Sequence, residues 1–277
     1  HFLCLDEMNL APVEQYFAEY LSVIESRKNK NGEVVTIDEG IGERFLLKEY
    51  VAGSELNVNQ LQELKAAVVL LAEYHKAAIM LNQEMDKCES DCQKEILVEK
   101  EKHYKELVKV RNYIRSRKKK QEFERIYLQA YEAMLETANQ SLCILGKESN
   151  MQPCCCICHG EYNQHNVVYG EDRWQIINFE GFTFGWCILD LAFFLRKILE
   201  KNEWEISIGK QLLESYAKVR PLSLVEYEKL YGLLLFPEKF WKVTNHYMNS
   251  RKTWILERDI EKLKKVIAQE NQRLKFM

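Results

Sequence analysis

The sequence predicts an α+β chain with a small α/β region over residues 1–52 and a large, mainly helical region over residues 53–277. Three observations support this prediction. Apolar residues recur at helical spacing over most of the chain after residue 58. Two short apolar runs, 166–169 and 174–179, flank a polar pair, which is typical of a β-hairpin. Gly53-Ser54 interrupts the pattern and marks the boundary between the two regions.

The small region is predicted to combine a helix with a hairpin. Residues 2–5 form a short apolar run typical of a strand end, and residues 13–26 carry apolar side chains along one helical face. The run Lys-Asn-Lys-Asn-Gly at 28–32 is typical of a turn. Residues 33–38 and 44–51 are then predicted to pair as two strands.

The large region is predicted to be a series of amphipathic helices. The predicted helices are 59–80, 123–146, 190–200, 206–219 and 258–275, with part of the charged segment 83–122. A further helix is predicted to begin at a Ser223–Glu226 capping box. Residues 181–187 contain two glycines and are predicted to be a connector. The basic run 115–120 is typical of a solvated helix face, and a patch for an acidic partner is the alternative.

Composition excludes several classes of protein. The chain has 277 residues, 47% of them hydrophobic, and a formal net charge of −3. This balance gives no indication of a nucleic-acid partner. No apolar run approaches the roughly 20 residues that span a bilayer, so we expect no membrane insertion. The start of the chain lacks the basic leader of a signal peptide.

Cysteines are numerous, but they do not indicate a secreted disulfide framework. There are nine, an odd number. Four of them precede the central polar loop: Cys154, Cys155, Cys156 and Cys158. A zinc site completed by Cys88, Cys92 or His159 is the alternative. Adjacent cysteines in an extended strand point to opposite faces and do not converge on one ion, so we expect buried cysteines and no zinc.

The polar stretch between residues 158 and 180 is the most informative feature of the sequence. It begins C-H-G-E-Y-N-Q-H-N at 158–166 and ends I-I-N-F-E at 176–180, on either side of the predicted hairpin. A loop of this composition is often simply solvated. Its spacing also fits phosphotransferase chemistry, in which a loop carboxylate lies five residues before an Asn and a second metal ligand follows a strand pair.

The same stretch resembles a known superfamily. H-G-E-x-x-x-x-N at 159–166 resembles H-G-D-x-x-x-x-N of the aminoglycoside phosphotransferase and choline kinase superfamily, and I-I-N-F-E resembles its I-D-F-E segment. D-L-A at 190–192 resembles the D-L-A that follows there. The resemblance implies a bilobal protein-kinase-like fold that uses ATP and Mg²⁺. The implied catalytic residues are Glu161, His159 and Asp190, and the implied metal ligands are Asn166, Asn178 and Glu180, with Asn166 also facing the cofactor.

Two positions depart from the pattern of that superfamily. Glu161 replaces the catalytic Asp, and its extra methylene displaces the carboxylate, which can cost on the order of 100-fold in rate. Asn178 replaces the metal-binding Asp and carries no charge, whereas Mg²⁺ is held mainly by carboxylates and phosphates. Glu180 would share the face of Asn178 if both lay on one strand. We therefore expect binding of ATP and Mg²⁺ to be weak or absent.

The predicted strand 44–51 would supply the hinge whose backbone meets adenine. The resemblance places Glu49, Tyr50 and Val51 there. No G-x-G-x-x-G precedes this strand, and the first lysine is Lys28. The phosphate loop and the strand lysine that a kinase needs are therefore expected either upstream of His1 or not at all.

Motifs near the C-terminus narrow the resemblance. P-L-S-x-x-E at 221–226, F-P-E-K-F-W-K at 236–242 and N-S-R-K-T-W at 249–254 are similar to the CotS-like spore coat family of endospore-forming Firmicutes. The resemblance implies a protein that lies in the mother-cell cytoplasm and then in the spore coat, with other coat proteins as partners.

Three functions follow from these observations. The first is a kinase-like coat protein with impaired catalysis, or pseudokinase. The second is an active ATP-dependent phosphotransferase for a small hydroxyl-bearing substrate, with Glu161 as base. The third is a nucleotide-binding module without transfer.

Overall fold

The computed structural model describes residues 36–38, 44–46, 51–82, 90–149, 151–249 and 257–277. The chain divides into two compact units, His1–Gly53 and Ser54–Met277. In the first unit, strands β1 (Thr36–Asp38) and β2 (Arg44–Leu46) pair antiparallel, with Ile37 opposite Phe45. The predicted pairing of 33–38 with 44–51 is confirmed over the described residues of the two strands. The predicted strand at 2–5 and helix at 13–26 lie outside the described residues.

Helices dominate the second unit, as the periodicity predicts. They are α1 (Leu61–Asn82), α2 (Ser90–Ser116), α3 (Glu122–Gly146), α4 (Ile188–Lys201), α5 (Ile206–Val219), α6 (Leu224–Leu235), α7 (Glu238–Asn249) and α8 (Glu257–Phe276). The capping box that opens α6 is confirmed, since the Ser223 side chain accepts from the Glu226 N–H and the Glu226 carboxylate accepts from the Ser223 N–H. No helix in the described ranges is both long enough and apolar enough to traverse a lipid bilayer.

Two small sheets lie among these helices. Strands β3 (Ser54–Glu55), β5 (Val167–Gly170) and β6 (Arg173–Ile176) form one antiparallel sheet in the order β3-β5-β6. Strands β4 (Cys155–Cys158) and β7 (Thr183–Trp186) form the other.

The predicted hairpin around residues 171–172 is confirmed. Tyr169 lies opposite Trp174, and a two-residue turn joins β5 to β6. Glu171 and Asp172 have φ of 52° and 58°, which is the left-handed conformation that a type I′ turn requires at both central positions.

The prediction of a connector over residues 181–187 is wrong, because most of this segment is strand β7. The two glycines suggested a loop, but Gly185 has a packing role. A Cβ at this position would lie 3.0 Å from the Leu189 Cδ1 atom, so the glycine allows α4 to approach the strand closely.

Helix α1 organises the main core, packing against β4 and α5. Its buried face includes Leu64, Val68, Leu71 and His75, as predicted from their spacing. A second core joins α2, α3, α7 and α8 around Tyr127, Phe240 and Leu263. Cys155 belongs to the main core, which therefore positions β4, the strand that leads into the central loop.

Helix α3 ends on a buried lysine from α6. The Lys229 Nζ atom donates to the carbonyl oxygens of Ile144, Leu145 and Lys147 at 3.0, 2.9 and 2.7 Å. The Ile144 carbonyl oxygen also accepts from the Lys147 N–H, and the Leu145 carbonyl oxygen also accepts from the Gln93 side chain. The ammonium group therefore adds a charged donor to the end of α3.

The cysteines of β4 alternate between its faces, as expected. Cys155, Cys156 and Cys158 are buried, whereas Cys154 is exposed, so the prediction of a buried cluster is correct for three of the four. Cys156 and Cys158 lie on one face beside Cys187.

Candidate functional site

The central loop begins where β4 ends and runs over residues 159–166. Tyr162 fixes its middle, because its buried hydroxyl donates to the Ala67 carbonyl oxygen of α1 at 2.7 Å. Tyr74, also on α1, donates to the Ile157 carbonyl oxygen of β4 at 2.8 Å. Burial raises the pKa of Tyr74, which therefore remains a donor at neutral pH.

Asp190 holds the start of the loop from the third residue of α4. Its Oδ2 atom accepts from the His159 N–H at 2.6 Å, and its Oδ1 atom accepts from the Gly160 N–H at 2.9 Å. The carboxylate is buried and 1% exposed. Two charge-assisted hydrogen bonds to consecutive amides fix the backbone conformation just before Glu161.

His75 extends this anchor into the helical core. Its Nε2 atom lies 3.3 Å from Asp190 Oδ2, and its Nδ1 atom lies 2.7 Å from the Tyr216 hydroxyl oxygen. Arg220 continues the chain of contacts, donating to the Tyr216 hydroxyl and pairing with Glu226. Burial lowers the pKa of His75, so the ring is neutral, with Nε2–H facing the carboxylate and Nδ1 accepting from the tyrosine.

His159 is fully buried and both of its ring nitrogens contact backbone. Its Nε2 atom lies 2.9 Å from the Ile177 carbonyl oxygen, and its Nδ1 atom accepts from the Glu161 N–H at 3.2 Å. The ring therefore links the central loop to the segment that follows β6. This arrangement suits a residue that positions the loop.

Gly160 and Gly181 bring the loop and the segment after the hairpin into close contact. Gly160 has φ of 81°, and a Cβ there would lie 2.0 Å from the Gly181 carbonyl oxygen. A Cβ at Gly181 would lie 3.3 Å from the Glu161 Cγ atom. The glycines therefore allow the exposed Glu161 side chain to lie against the segment that carries Asn178.

The two asparagines predicted as metal ligands contact each other. Asn178 Nδ2 donates to Asn166 Oδ1 at 3.0 Å, and Asn166 Nδ2 donates to the Glu161 carbonyl oxygen at 2.9 Å. The hairpin therefore brings Glu161, Asn166 and Asn178 together, as the sequence predicts. The Asn178 side chain thus donates a hydrogen bond to the Asn166 oxygen with which the kinase pattern would bind a cation.

Glu180 does not have the geometry that was predicted for it. Strand β6 ends at Ile176, Asn178 adopts the left-handed conformation with φ of 61°, and residues Phe179–Gly181 form a short 3-10 helix. The expectation that Asn178 and Glu180 share the face of one strand is therefore wrong. The turn at Asn178 ends the strand pattern that this expectation required.

These residues fit a pair of Mg²⁺ ions poorly. Mg²⁺ prefers carboxylates and phosphates in octahedral geometry. The neutral amide of Asn178 replaces one of the carboxylates that the kinase pattern provides, and it hydrogen-bonds to the Asn166 amide. The side chains of Asn166 and Asn178 are better suited to hydrogen-bonding each other than to coordinating Mg²⁺ tightly.

Only one of the three predicted hinge residues lies within the described structure. Glu49 and Tyr50 lie outside it, and Val51 is half-buried.

Strand β3 pairs with β5, and the Leu56 N–H donates to the Val167 carbonyl oxygen at 3.1 Å. The Glu55 carboxylate lies 2.7 Å from the His165 Nδ1 atom, beside Asn166. This pair is exposed and contributes little stability by itself.

Another cluster of metal-ligating side chains joins α2 to α7. Glu99, His103 and Glu238 place one ligand atom each within 4.8 Å of the others. Lys100 Nζ lies 2.9 Å from Glu238 Oε2, and Lys242 Nζ lies 3.8 Å from Glu238 Oε1. Since two ammonium groups already neutralise this carboxylate, we interpret the cluster as an ionic link between the helices.

The basic run 115–120 makes contacts within its own helical hairpin. Arg117 pairs with Glu124, and Lys120 Nζ donates to the Arg117 carbonyl oxygen at 3.0 Å. Arg115 lies 3.6 Å from Glu132. These contacts support the interpretation of a solvated helix end.

Several positioning residues had no signal in the sequence. Tyr216 and Arg220 do not belong to a motif with fixed spacing, Tyr162 occupies a variable position of the loop motif, and His75 is one position of a predicted amphipathic helix. Its partners are 115 and 141 residues away in the chain. Such contacts follow from helix packing, which residue spacing does not encode.

Solved structures of small-molecule kinases share this fold. An aminoglycoside phosphotransferase from Alicyclobacillus acidocaldarius superposes with a TM-score of 0.73 at 17% identity, covering 95% of this chain and 80% of that one. A choline kinase from Cryptosporidium parvum gives 0.53 at 15% identity, covering 95% and 77%. The ethanolamine kinase of Plasmodium vivax gives 0.52 at 12% identity, covering 92% and 70%. The predicted α+β, kinase-like fold is confirmed.

The family is established by sequence. A comparison with curated proteins finds no match. The profile of the family described as "Spore coat putative kinase YutH" matches residues 18–277. This confirms the resemblance to kinase-like spore coat proteins that the motifs of the central loop and the C-terminal helices indicated. The chain therefore belongs to the YutH family of kinase-like spore coat proteins.

Proposed function

We propose that this chain is a coat component with the scaffold of a small-molecule kinase and with impaired phosphotransfer. The observation that carries the proposal is the hydrogen bond between Asn178 Nδ2 and Asn166 Oδ1. An aspartate at position 178 could not donate this bond. In this chain the two side chains therefore hydrogen-bond to each other, whereas in the kinase pattern the residues at these positions coordinate a cation.

Charge supports the same conclusion. At about 4 Å and an effective dielectric constant of roughly 20, one charge pair near a protein surface is worth on the order of 4 kcal/mol. In the kinase pattern, an aspartate at this position binds the metal ion that contacts the phosphates. Asn178 lacks the negative charge of that aspartate. Binding of ATP with Mg²⁺ is therefore weak or absent, and transfer is slower still.

The retained scaffold is consistent with a role in assembly. Asp190, His75 and Tyr162 hold the loop in place with buried hydrogen bonds that do not involve a cofactor. A protein that no longer transfers phosphate can keep this scaffold as a rigid surface. Other spore coat proteins are the partners that the family membership favours, and the spore coat is the final location.

An active phosphotransferase is the second candidate, and one observation favours it. The Glu161 side chain is exposed near the start of the central loop, with Asn166 in the position that the kinase pattern requires. Glu161 would then act as the base toward a small hydroxyl-bearing substrate. The third candidate, a module that binds nucleotide without transferring phosphate, would share nucleotide binding with the active enzyme and the absence of turnover with the coat component.

Calorimetric titration of ATP into the purified chain, with and without Mg²⁺, separates these candidates. The proposal predicts no micromolar binding and no dependence on Mg²⁺. Micromolar binding of Mg-ATP with hydrolysis or transfer that Glu161→Ala abolishes would establish the active enzyme. Micromolar binding without turnover would establish the binding module.

The assembly role has its own test. A fluorescent fusion of the Glu161→Gln variant should associate with spores as the unmodified chain does, because the proposal assigns no catalytic step to coat association. Loss of spore association in this variant, with normal folding, would connect localisation to catalysis and contradict the proposal.

A further inference from the structure

Two cysteines that are distant in the sequence lie close together at the start of β4, the strand that precedes the central loop. The Sγ atoms of Cys92 and Cys155 lie 3.9 Å apart, across 63 residues of chain. Cys92 is in the first turn of α2, and Cys155 is the first residue of β4. Both residues are buried, with exposed fractions of 6% and 4%.

This pair is better suited to a disulfide than the close pair of thiols within β4. Cys156 and Cys158 have Sγ atoms 4.0 Å apart, but they lie two residues apart on the same face of one strand. Their side chains are parallel, with Cα atoms roughly 6.6 Å apart, and bonding them would distort the strand. Cys92 and Cys155 lie on different elements, so a bond between their sulfur atoms does not have to bend a single strand.

We propose that Cys92 and Cys155 form a disulfide when the protein meets an oxidising thiol pool, joining α2 to β4. The oxidant is a low-molecular-weight disulfide. One protein thiolate attacks it, forming a mixed disulfide and releasing one small thiol. The second protein thiol then attacks the mixed disulfide and releases the second small thiol. The protein loses two thiol hydrogens, and one small disulfide is reduced to two thiols.

Access to the pair requires only local opening. Cys92 lies in the first turn of α2, where the backbone N–H groups have no partners within the helix and helices fray first. Cys92 and Cys155 both belong to the main core, so opening this turn uncovers the part of that core in which the two thiols meet.

The disulfide would strengthen the support of the central loop. Strand β4 passes directly into His159, so a bond at its first residue fixes the strand between α2 and β7. Closing a loop of 63 residues restricts the unfolded chain. The inference does not depend on whether the protein transfers phosphate.

Mass spectrometry on the full chain tests the proposal directly. The protein is equilibrated in glutathione buffers of rising oxidised fraction, quenched with an alkylating reagent in denaturant, and digested. We expect two of the nine thiols to be protected from alkylation, and a cross-linked peptide containing Cys92 and Cys155. The melting temperature should rise by on the order of 10 °C and return after dithiothreitol.

Matched variants keep the test decisive. Cys92→Ser and Cys155→Ala should each abolish both the cross-link and the thermal shift, and two different replacements guard against one that fails to fold. Cys143→Ser, at an exposed position on α3, should preserve both. Alkylation of all nine thiols after equilibration at the highest oxidised fraction, or a cross-link mapped to any other pair, would overturn the proposal.

Discussion

Asn178 shows how one residue combines backbone and electrostatic roles. Its φ of 61° lies in the left-handed region, which asparagine and aspartate occupy more readily than other residues with a side chain. Aspartate at this position would keep the turn after β6 and change only the charge and the donor. The Asn178→Asp variant is therefore a clean probe of metal binding, because it leaves the backbone conformation intact.

The sequence predicted the residues of the central loop better than their supports. Glu161, Asn166 and Asn178 were found because the motif has a fixed spacing and the hairpin brings its two ends together. Tyr216 and Arg220 contact His75 through the packing of α5 against α1. Residue spacing within one helix carries no information about a partner on another, so this network could not be predicted.

Gly160→Ala should destabilise the second unit by roughly 2–4 kcal/mol. The added Cβ would force a left-handed alanine against the Gly181 carbonyl oxygen, 2.0 Å away. Urea unfolding measures the change. The control is Gly146→Ala at the end of α3, where the nearest atom to the new Cβ is 3.7 Å away and little change is expected. Equal effects from the two variants would mean that the close contact does not matter.

His75 should make the stability depend on pH. Burial lowers its pKa from the ordinary value of about 6.5, so the unfolded chain binds more protons than the folded chain just below that pH. The contribution is present above pH 6.5 and is lost as the pH falls toward the folded pKa, at up to about 1.4 kcal/mol per pH unit.

Variants assign this dependence to His75. In His75→Gln, the free energy of unfolding should be lower at pH 8 and should fall less steeply between pH 7 and pH 5. Tyr216→Phe removes the hydroxyl partner but keeps the titrating ring, so it should lower stability while retaining the slope. An unchanged slope in His75→Gln would assign the dependence to other groups.

At the level of elements, helices were predicted more accurately than strands. Helix α5 occupies the predicted residues 206–219, because its apolar stripe and the flanking Pro221 define both ends. Strand β7 was missed, because Gly181 and Gly185 suggested a loop. Its pairing with β4 is a contact across 25 or more residues, for example between Cys158 and Thr183, and it depends on tertiary structure that the local sequence does not reveal.

The turn between β5 and β6 is a position where stability can be gained. Glu171 and Asp172 both adopt positive φ, which costs free energy for residues with a Cβ. Replacing them with Asn-Gly, the preferred type I′ pair, should raise the free energy of unfolding by about 0.5–1 kcal/mol. Thermal unfolding measures the gain. A loss of stability would mean that the Glu171–Arg173 ion pair outweighs the turn.

Lys229→Met should destabilise the end of α3. The substitution keeps the length of the side chain but removes a charged donor that three carbonyl oxygens share, two of which keep a second donor, and we expect a loss of roughly 1–3 kcal/mol. Lys218→Met, at an exposed position on α5, is the matched control and should change stability by less than about 0.5 kcal/mol. Chemical denaturation that shows similar losses for both lysines would refute the capping role.

For the whole molecule, the fold and the family agree, while two residues of the central site depart from the kinase pattern. The fold is shared with small-molecule kinases, and Glu161 and Asn178 stand where the superfamily pattern has aspartates. The sequence could predict this contrast because both departures lie inside recognisable motifs. The partners of the protein do not follow from any motif, since surface recognition depends on residues without fixed spacing.

The central claim is that Asn178 suppresses metal-dependent nucleotide binding. The most direct measurement is the ratio of ATP dissociation constants without and with Mg²⁺, determined by calorimetry for the unmodified chain and for Asn178→Asp combined with Glu161→Asp. Asn57→Asp, an exposed substitution that adds the same charge elsewhere, is the control. We predict a ratio near one for the unmodified chain and the control, and an increase of at least about tenfold, or 1.4 kcal/mol, in the double variant. A large ratio in the unmodified chain, or no increase in the double variant, would contradict the claim.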